Sequence, residues 1–349
     1  MNLSRRFTLG LLAAAALAAT AVHAQDKVLN IYSARHYQTD EALYNGFTQA
    51  TGIKINRVEA DDAGLVSRLR AEGAASPADI VLMVDAVRMA AADAQGLFQP
   101  VKSKLLDDTI PATLRAAATP EGVTWTGFST RARVIVYDPA RVKAADVATY
   151  EQLADPKLKG LLCTRSGSHP YNLSLFATVV ERVGDAKGEA WLKGLVDNQA
   201  RAPKGGDTDQ IRAVASGECG VAIANSYYMA RILKSDKPED KAVAQKVKVV
   251  FPNQGTSGTH VNIAGAAVAK HAKNREHAIA FMEYLASPAA QRYFADGNNE
   301  FAAAKGVKLD NPALKAMGGD DFKIETVPLA AVAKNLTKVQ QMLDRVGYK

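Results

Sequence analysis

Short apolar runs alternate with amphipathic stretches along most of the chain, and the alternation predicts an α/β protein. Val28–Tyr32 reads as a first strand. Thr39 stands as an N-cap before a helix whose Leu43 and Phe47 form an apolar stripe, ended by Gly52. Ile53–Val58 predicts a second strand, Ala63–Glu72 a helix with Leu65 and Leu69 four apart, and Ser76-Pro77 a break. Ile80–Val84 is continuously apolar, as a strand buried on both faces should be. Strand, helix, strand, helix, strand is the order of a parallel sheet covered by helices.

A long β-rich run, Phe128–Tyr137, ends at Asp138-Pro139, and a second α/β series follows it. Its expected elements are a strand over Leu158–Thr164, helices near 173–183, 188–196 and 209–216, and a strand over Cys219–Ala224. Asn225 and Ser226 then stand as N-cap residues for a helix through Lys234. Val247–Phe251 and Val261–Val268 predict strands on either side of the turn-rich Pro252–Gly258. Helical spacing returns over Ala278–Tyr293, interrupted at Ser287-Pro288, and again at Leu329, Val332, Leu336, Val339 and Leu343. Two α/β series joined by crossovers near residues 130 and 255 predict two lobes that close on a ligand held between them.

Residues 1–24 fall outside this pattern. Arg5 and Arg6, the apolar run Leu9–Ala19 and the small-x-small Val22-His23-Ala24 predict a cleavable signal peptide, with the mature chain starting near Gln25. Ser4–Leu9 partly matches a twin-arginine signal, with Thr8 where that motif has Phe, and the general secretory route fits equally well. Loss of the two arginines lowers the formal net charge from +7 to +5. Both signs are interspersed, which argues against nucleic-acid binding, and no later apolar run is long enough for a membrane span. Cys163 and Cys219 are an even pair in an exported chain, which suggests a disulfide, two separate buried thiols being the alternative.

Three strand-to-helix handovers carry tyrosine: Arg35-His36-Tyr37, the segment 166–172 with Tyr171, and Asn225-Ser226-Tyr227-Tyr228. Such handovers are the usual place for a ligand in an open α/β sheet. Taken alone, tyrosine pairs are more often packing residues with wetted hydroxyls. Gathered in one cleft, His36, Tyr37, Tyr171, Tyr227 and Tyr228 would offer hard phenolate oxygens and an imidazole. A phenol with a pKa of about 10 ionises at neutral pH only beside a strong cation, and ferric ion is one. Four phenolates leave surplus negative charge on a trivalent ion, which Arg35 or Arg231 is placed to offset, or to hold an anion that completes the shell. Tyr32, Tyr44, Tyr137, Tyr150, Tyr284, Tyr293 and Tyr348 are expected in packing roles, and His169, His260, His271 and His277 at the surface or in loops.

The chain resembles the periplasmic ferric-ion-binding proteins, substrate-binding members of ABC transporters. The resemblance is carried by Tyr32–Asp40, Ser76–Ile80, Arg131–Val134, Pro170–Asn172 and the tyrosine pair of Asn225–Tyr228. It implies a type II periplasmic binding protein fold: two lobes, two crossover strands, and the ligand cleft between them. Residues 25–129 plus 254–305 would form the N-terminal lobe, and 130–253 plus 306–349 the C-terminal lobe. Tyr171, Tyr227 and Tyr228 would be the common phenolate ligands, with His36 and Tyr37 completing a tyrosine-rich set. Arg131, or Arg133 two residues along the same strand face, would contact carbonate or another small synergistic anion. The resemblance further implies no enzymatic activity, a monomer in the periplasm, and delivery of Fe3+ to an inner-membrane permease. Two alternatives remain at this stage: a same-fold receptor for a polyamine, thiamine or an oxyanion, and a His/Tyr ferric oxygenase.

Overall fold

The computed structural model describes residues 27–35, 37–307, 310–319 and 321–349. The expected signal peptide and His36 lie outside the described residues. Among the described residues nine strands are formed: β1 Val28–Ser33, β2 Lys54–Glu59, β3 Ile80–Met83, β4 Thr126–Tyr137, β5 Leu162–Cys163, β6 Val221–Asn225, β7 Lys248–Val250, β8 Val261–Val268 and β9 Phe301–Ala302. They hydrogen-bond in the order β2-β1-β3-β8-β4-β6-β5, with β7 and β9 also paired to β4. β1 runs parallel to both β2 and β3, as the opening strand-helix alternation requires.

β4 links the two parts of the sheet. Its residues Thr126–Ala132 pair with β8, and Arg133–Tyr137 pair with β6. All twelve residues of β4 are buried, including Arg131 and Arg133. β4 and β8 approach closely where Gly127 faces Gly265: a Cβ on Gly265 would stand 2.7 Å from the Thr126 carbonyl oxygen. Only glycine allows that approach, and the register of β4 shifts just beyond it, between Gly127 and Ser129.

One apolar core gathers Leu29, Ile31, Phe47, Phe281 and Phe294 around β1 and β3. A second gathers Phe176, Trp191, Leu192 and Ile223. Its cover is the helix Leu329–Val346, which buries Val332, Leu336, Val339, Met342 and Leu343. Each such side chain contributes about 1.5–3 kcal/mol of gross burial. Trp125 and Trp191 are both core residues, as expected.

Several expectations need correction. The strand expected over Leu158–Thr164 is confined to Leu162–Cys163. Pro156 lacks a backbone donor and Asp155 caps the Lys157 N–H, so Pro156–Leu158 winds into a 3-10 turn. Thr39 does not cap its helix: it lies in helical conformation and its hydroxyl donates to Asn298. His260, expected at the surface or in a loop, lies outside the regular elements as a loop residue would, but it is buried. Cys163 and Cys219 form a disulfide, with Cα atoms 5.9 Å apart, tying β5 to the entry of β6.

Candidate metal centre

The tyrosine pair sits where β6 hands over to the helix Ser226–Lys234. Asn225 is the N-cap residue, but its side chain does not cap. Its Oδ1 instead accepts from Arg133 Nη1 at 3.1 Å, and its backbone N–H donates to Asp207 Oδ2 at 2.8 Å. Ser226 Oγ accepts from the Ala132 N–H at 3.2 Å. The first turn is thus stitched to β4 rather than closed by its own cap. Tyr171 lies in the first turn of the helix Pro170–Val183, where His169 Nδ1 accepts the Tyr171 N–H at 3.3 Å. Burial, and then Arg165, push the His169 imidazole down to about 3, so the cap is neutral. Tyr37 follows β1 and precedes the helix Asp40–Thr51.

These separate segments converge. The Tyr37 hydroxyl lies 3.2 Å from that of Tyr227 and 3.5 Å from that of Tyr171. The Tyr228 ring centroid is 4.1 Å from that of Tyr227. Tyr171 and Tyr227 are buried, while Tyr37 and Tyr228 are partly exposed. Burial first, and then Tyr171 beside them, push the hydroxyls of Tyr37, Tyr227 and Tyr228 upward, although Arg131 works against this at Tyr37 and Tyr227. Without a cation these phenols therefore keep their protons at neutral pH.

The arginines divide by role. Arg131 is fully buried and donates from Nη2 to the Val84 carbonyl, while Nε and Nη1 have no partner among the described residues. Its guanidinium stands 5.6 Å from the Tyr171 ring centre. Arg133, left open by the sequence for the same role, is committed elsewhere: Nη1 pairs with Asp207 Oδ2 at 2.6 Å and Nη2 donates to Asn172 Oδ1 at 2.6 Å. Arg231 stands 4.9 Å from the ring centre of Tyr227, 5.4 Å from that of Tyr37 and 5.9 Å from that of Tyr228. Arg35 binds Asp40 through Nε at 2.8 Å and reaches Glu300 at 3.4 Å, with its guanidinium 5.1 Å from the Tyr37 ring. Its charge is already matched by those carboxylates, whereas Arg131 and Arg231 face the phenol cluster with no carboxylate hydrogen-bonded to either among the described residues.

Sequence reasoning missed three residues here. Asp207 is fully buried and holds Arg133, Arg165 and the Asn225 N–H together. Arg165 lies 5.3 Å from the Tyr171 ring centre. Glu300 is fully buried, accepts from Ser129 and Arg35 through Oε2, and leaves Oε1 without a partner among the described residues. Each is a lone charge in an ordinary polar stretch, with no spacing to mark it. Among the described residues no three His, Cys, Asp or Glu side chains gather as a metal site, so the hard donors assembled there are phenol oxygens.

Comparisons with known proteins show the family to which the chain belongs. Residues 42–318 match the family described as bacterial extracellular solute-binding protein. Iron uptake protein A1 of Synechocystis is 45% identical, over 93% of this chain and 88% of its own. The major ferric iron-binding protein of Neisseria meningitidis is 30% identical over 84% of each chain. A Trichodesmium protein (IdiA, FutA), solved in complex with iron and citrate ligands, superposes with a TM-score of 0.84 at 47% identity, covering 92% of this chain and all of its own. The fold is that of the two-lobed type II binding proteins. The chain belongs to the bacterial extracellular solute-binding protein family, and groups within it with proteins named for iron uptake and ferric-iron binding.

Proposed function

We propose that this protein captures ferric ion outside the inner membrane and delivers it to an ABC-type permease, without catalysing a reaction. The observation that carries this reading is the approach of the Tyr37 hydroxyl to within 3.5 Å of those of Tyr171 and Tyr227, with the Tyr228 ring against Tyr227. In this reading Tyr37, Tyr171, Tyr227 and Tyr228 ligate Fe3+ as phenolates, and His36 supplies an imidazole. Ferric ion suits this set because it is hard and highly charged, enough to displace the protons that burial holds on the phenols. Arg131 and Arg231 offset the surplus negative charge, and the unpartnered Nε and Nη1 of Arg131 suit it to hold a carbonate or another small synergistic anion.

The same reading assigns residues 25–129 plus 254–305 to one lobe and 130–253 plus 306–349 to the other. Tyr37 then comes from the first lobe, and Tyr171, Tyr227 and Tyr228 from the second, so the ion itself joins the lobes and favours closure. Export through residues 1–24 places the mature monomer in the periplasm. An oxygenase would need a coordination position left open for substrate, whereas four phenolates and an imidazole nearly fill the shell.

Metal-free protein mixed with ferric citrate should develop a visible phenolate-to-iron charge-transfer band. The band should be lost, or strongly reduced and shifted, in the double variant Tyr227→Phe, Tyr228→Phe. Absence of the band in wild type, or an unchanged band in the double variant, would overturn the proposal.

A further inference from the structure

Beside the phenol cluster lies a cleft of about 570 Å³. Its lining includes Ala34, Asp62, Val84, Arg88, His169 and Tyr171. A single ion needs little of that space, and the volume is that of an organic small-molecule site. Asp62 is only 3% exposed, and its Oδ1 accepts from the Val84 N–H at 3.3 Å. Its Oδ2 is buried and has no hydrogen-bond partner among the described residues. Burial, and then the nearby Asp85 charge, push this carboxyl up to about 7, although the Val84 N–H, Arg88 and Arg131 work against the rise. Arg88 lines the same cleft, and its Nε is also buried with no hydrogen-bond partner among the described residues.

The lining thus includes an acid and a base, each with a buried atom that lacks a hydrogen-bond partner among the described residues. Such groups cost stability until something bonds both. Glu59 and Asp61 also border the cleft, so its net charge disfavours a polyanion. The complementary molecule carries a positive N–H donor for Asp62 and a carboxylate for Arg88. Ala34, Val84 and Pro170 add apolar surface to the lining.

We propose that this cleft is a second ligand site, for a zwitterionic aliphatic α-amino acid, with its ammonium on Asp62 and its carboxylate on Arg88. Ferric ion is not needed for this contact, so the site is tested on metal-free protein.

Isothermal titration of the metal-free mature chain with leucine should give saturable heat. 4-Methylpentanoate lacks the ammonium, isopentylamine lacks the carboxylate, and citrate is a polyanion; each should bind at least about tenfold more weakly than leucine. Asp62→Asn and Arg88→Gln should each weaken leucine by at least about tenfold, the loss of one charge-assisted hydrogen bond. Arg88→Lys keeps the charge and should retain most of the affinity, which separates loss of contact from loss of folding. No saturable heat with leucine, equal binding of any of the three analogues, or undiminished affinity in Asp62→Asn or Arg88→Gln would overturn the proposal. The ferric band is read in separate samples. Loss of that band with leucine binding intact would count against the ferric reading alone.

Discussion

Asp207 is the residue whose removal should be felt most widely, although it donates nothing to a metal. Its carboxylate pairs with Arg133 at 2.6 Å, both side chains being fully buried, and accepts the Asn225 N–H at 2.8 Å. In Asp207→Ala the Arg133 guanidinium stays buried with only Asn172 and Asn225 as acceptors. The charge-assisted bond accounts for about 1.5–3 kcal/mol and the backbone bond for about 1 kcal/mol. Leaving one charge of a buried pair alone costs about 3–5 kcal/mol in comparable cases, so a loss of that size is expected in urea unfolding of metal-free protein. The double variant Arg133→Met, Asp207→Leu should recover most of it, because the cost lies in the uncompensated charge. Burial alone would raise the Asp207 pKa, but Arg133 and Arg165 outweigh it and hold the carboxyl below its usual range. The associated stability is therefore present above the unfolded value of about 3.9 and is lost as pH falls through the folded value. A loss below about 1 kcal/mol in Asp207→Ala, or no recovery in the double variant, would refute this reasoning.

Ferric affinity should rise with pH, because the phenols of Tyr37, Tyr227 and Tyr228 are held protonated by burial and must release protons to bind. Competition titrations corrected for ferric hydrolysis should show about three to four protons released per ion, and a release near zero would contradict phenolate ligation. Arg131→Met should weaken ferric binding by about a hundredfold, since a unit charge 5.6 Å from the Tyr171 ring is worth about 3 kcal/mol at an effective dielectric of about 20. Equilibrium dialysis against a ferric chelator measures this, and unchanged affinity would remove Arg131 from the site. Replacing Cys163 and Cys219 together by alanine should cost about 4 kcal/mol in chemical unfolding, from the loop of 56 residues that the disulfide closes. An unchanged midpoint would show that the bridge does not constrain the unfolded chain.

The elements that sequence placed well are those whose pattern is set by burial. Ile80–Met83 is apolar throughout and Val261–Val268 apolar except for Asn262, because both faces are covered, and Val332, Leu336, Val339 and Leu343 lie on one buried stripe. Caps were less legible. Asn225 and Thr39 look like N-caps locally, but Asn225 Oδ1 is taken by Arg133 and the Thr39 hydroxyl by Asn298, residues distant in sequence. The tyrosines could be singled out because each stands at a strand-to-helix handover, a local feature. Their convergence depends on pairing across the whole sheet, as does the difference between Arg131 and Arg133. Those two share a strand face by period, yet Arg133 pairs with Asp207 while Arg131, among the described residues, hydrogen-bonds the Val84 carbonyl alone. Asp62, Asp207 and Glu300 had no local signature, because what distinguishes them is the company that folding brings.

The most direct measurement is a diffraction experiment at the iron absorption edge on ferric-loaded crystals. The anomalous peak is expected between the hydroxyls of Tyr37, Tyr171, Tyr227 and Tyr228, at bonding distance from each. A peak held instead by carboxylates, or none at that cluster in protein shown to carry stoichiometric iron, would contradict the phenolate clamp.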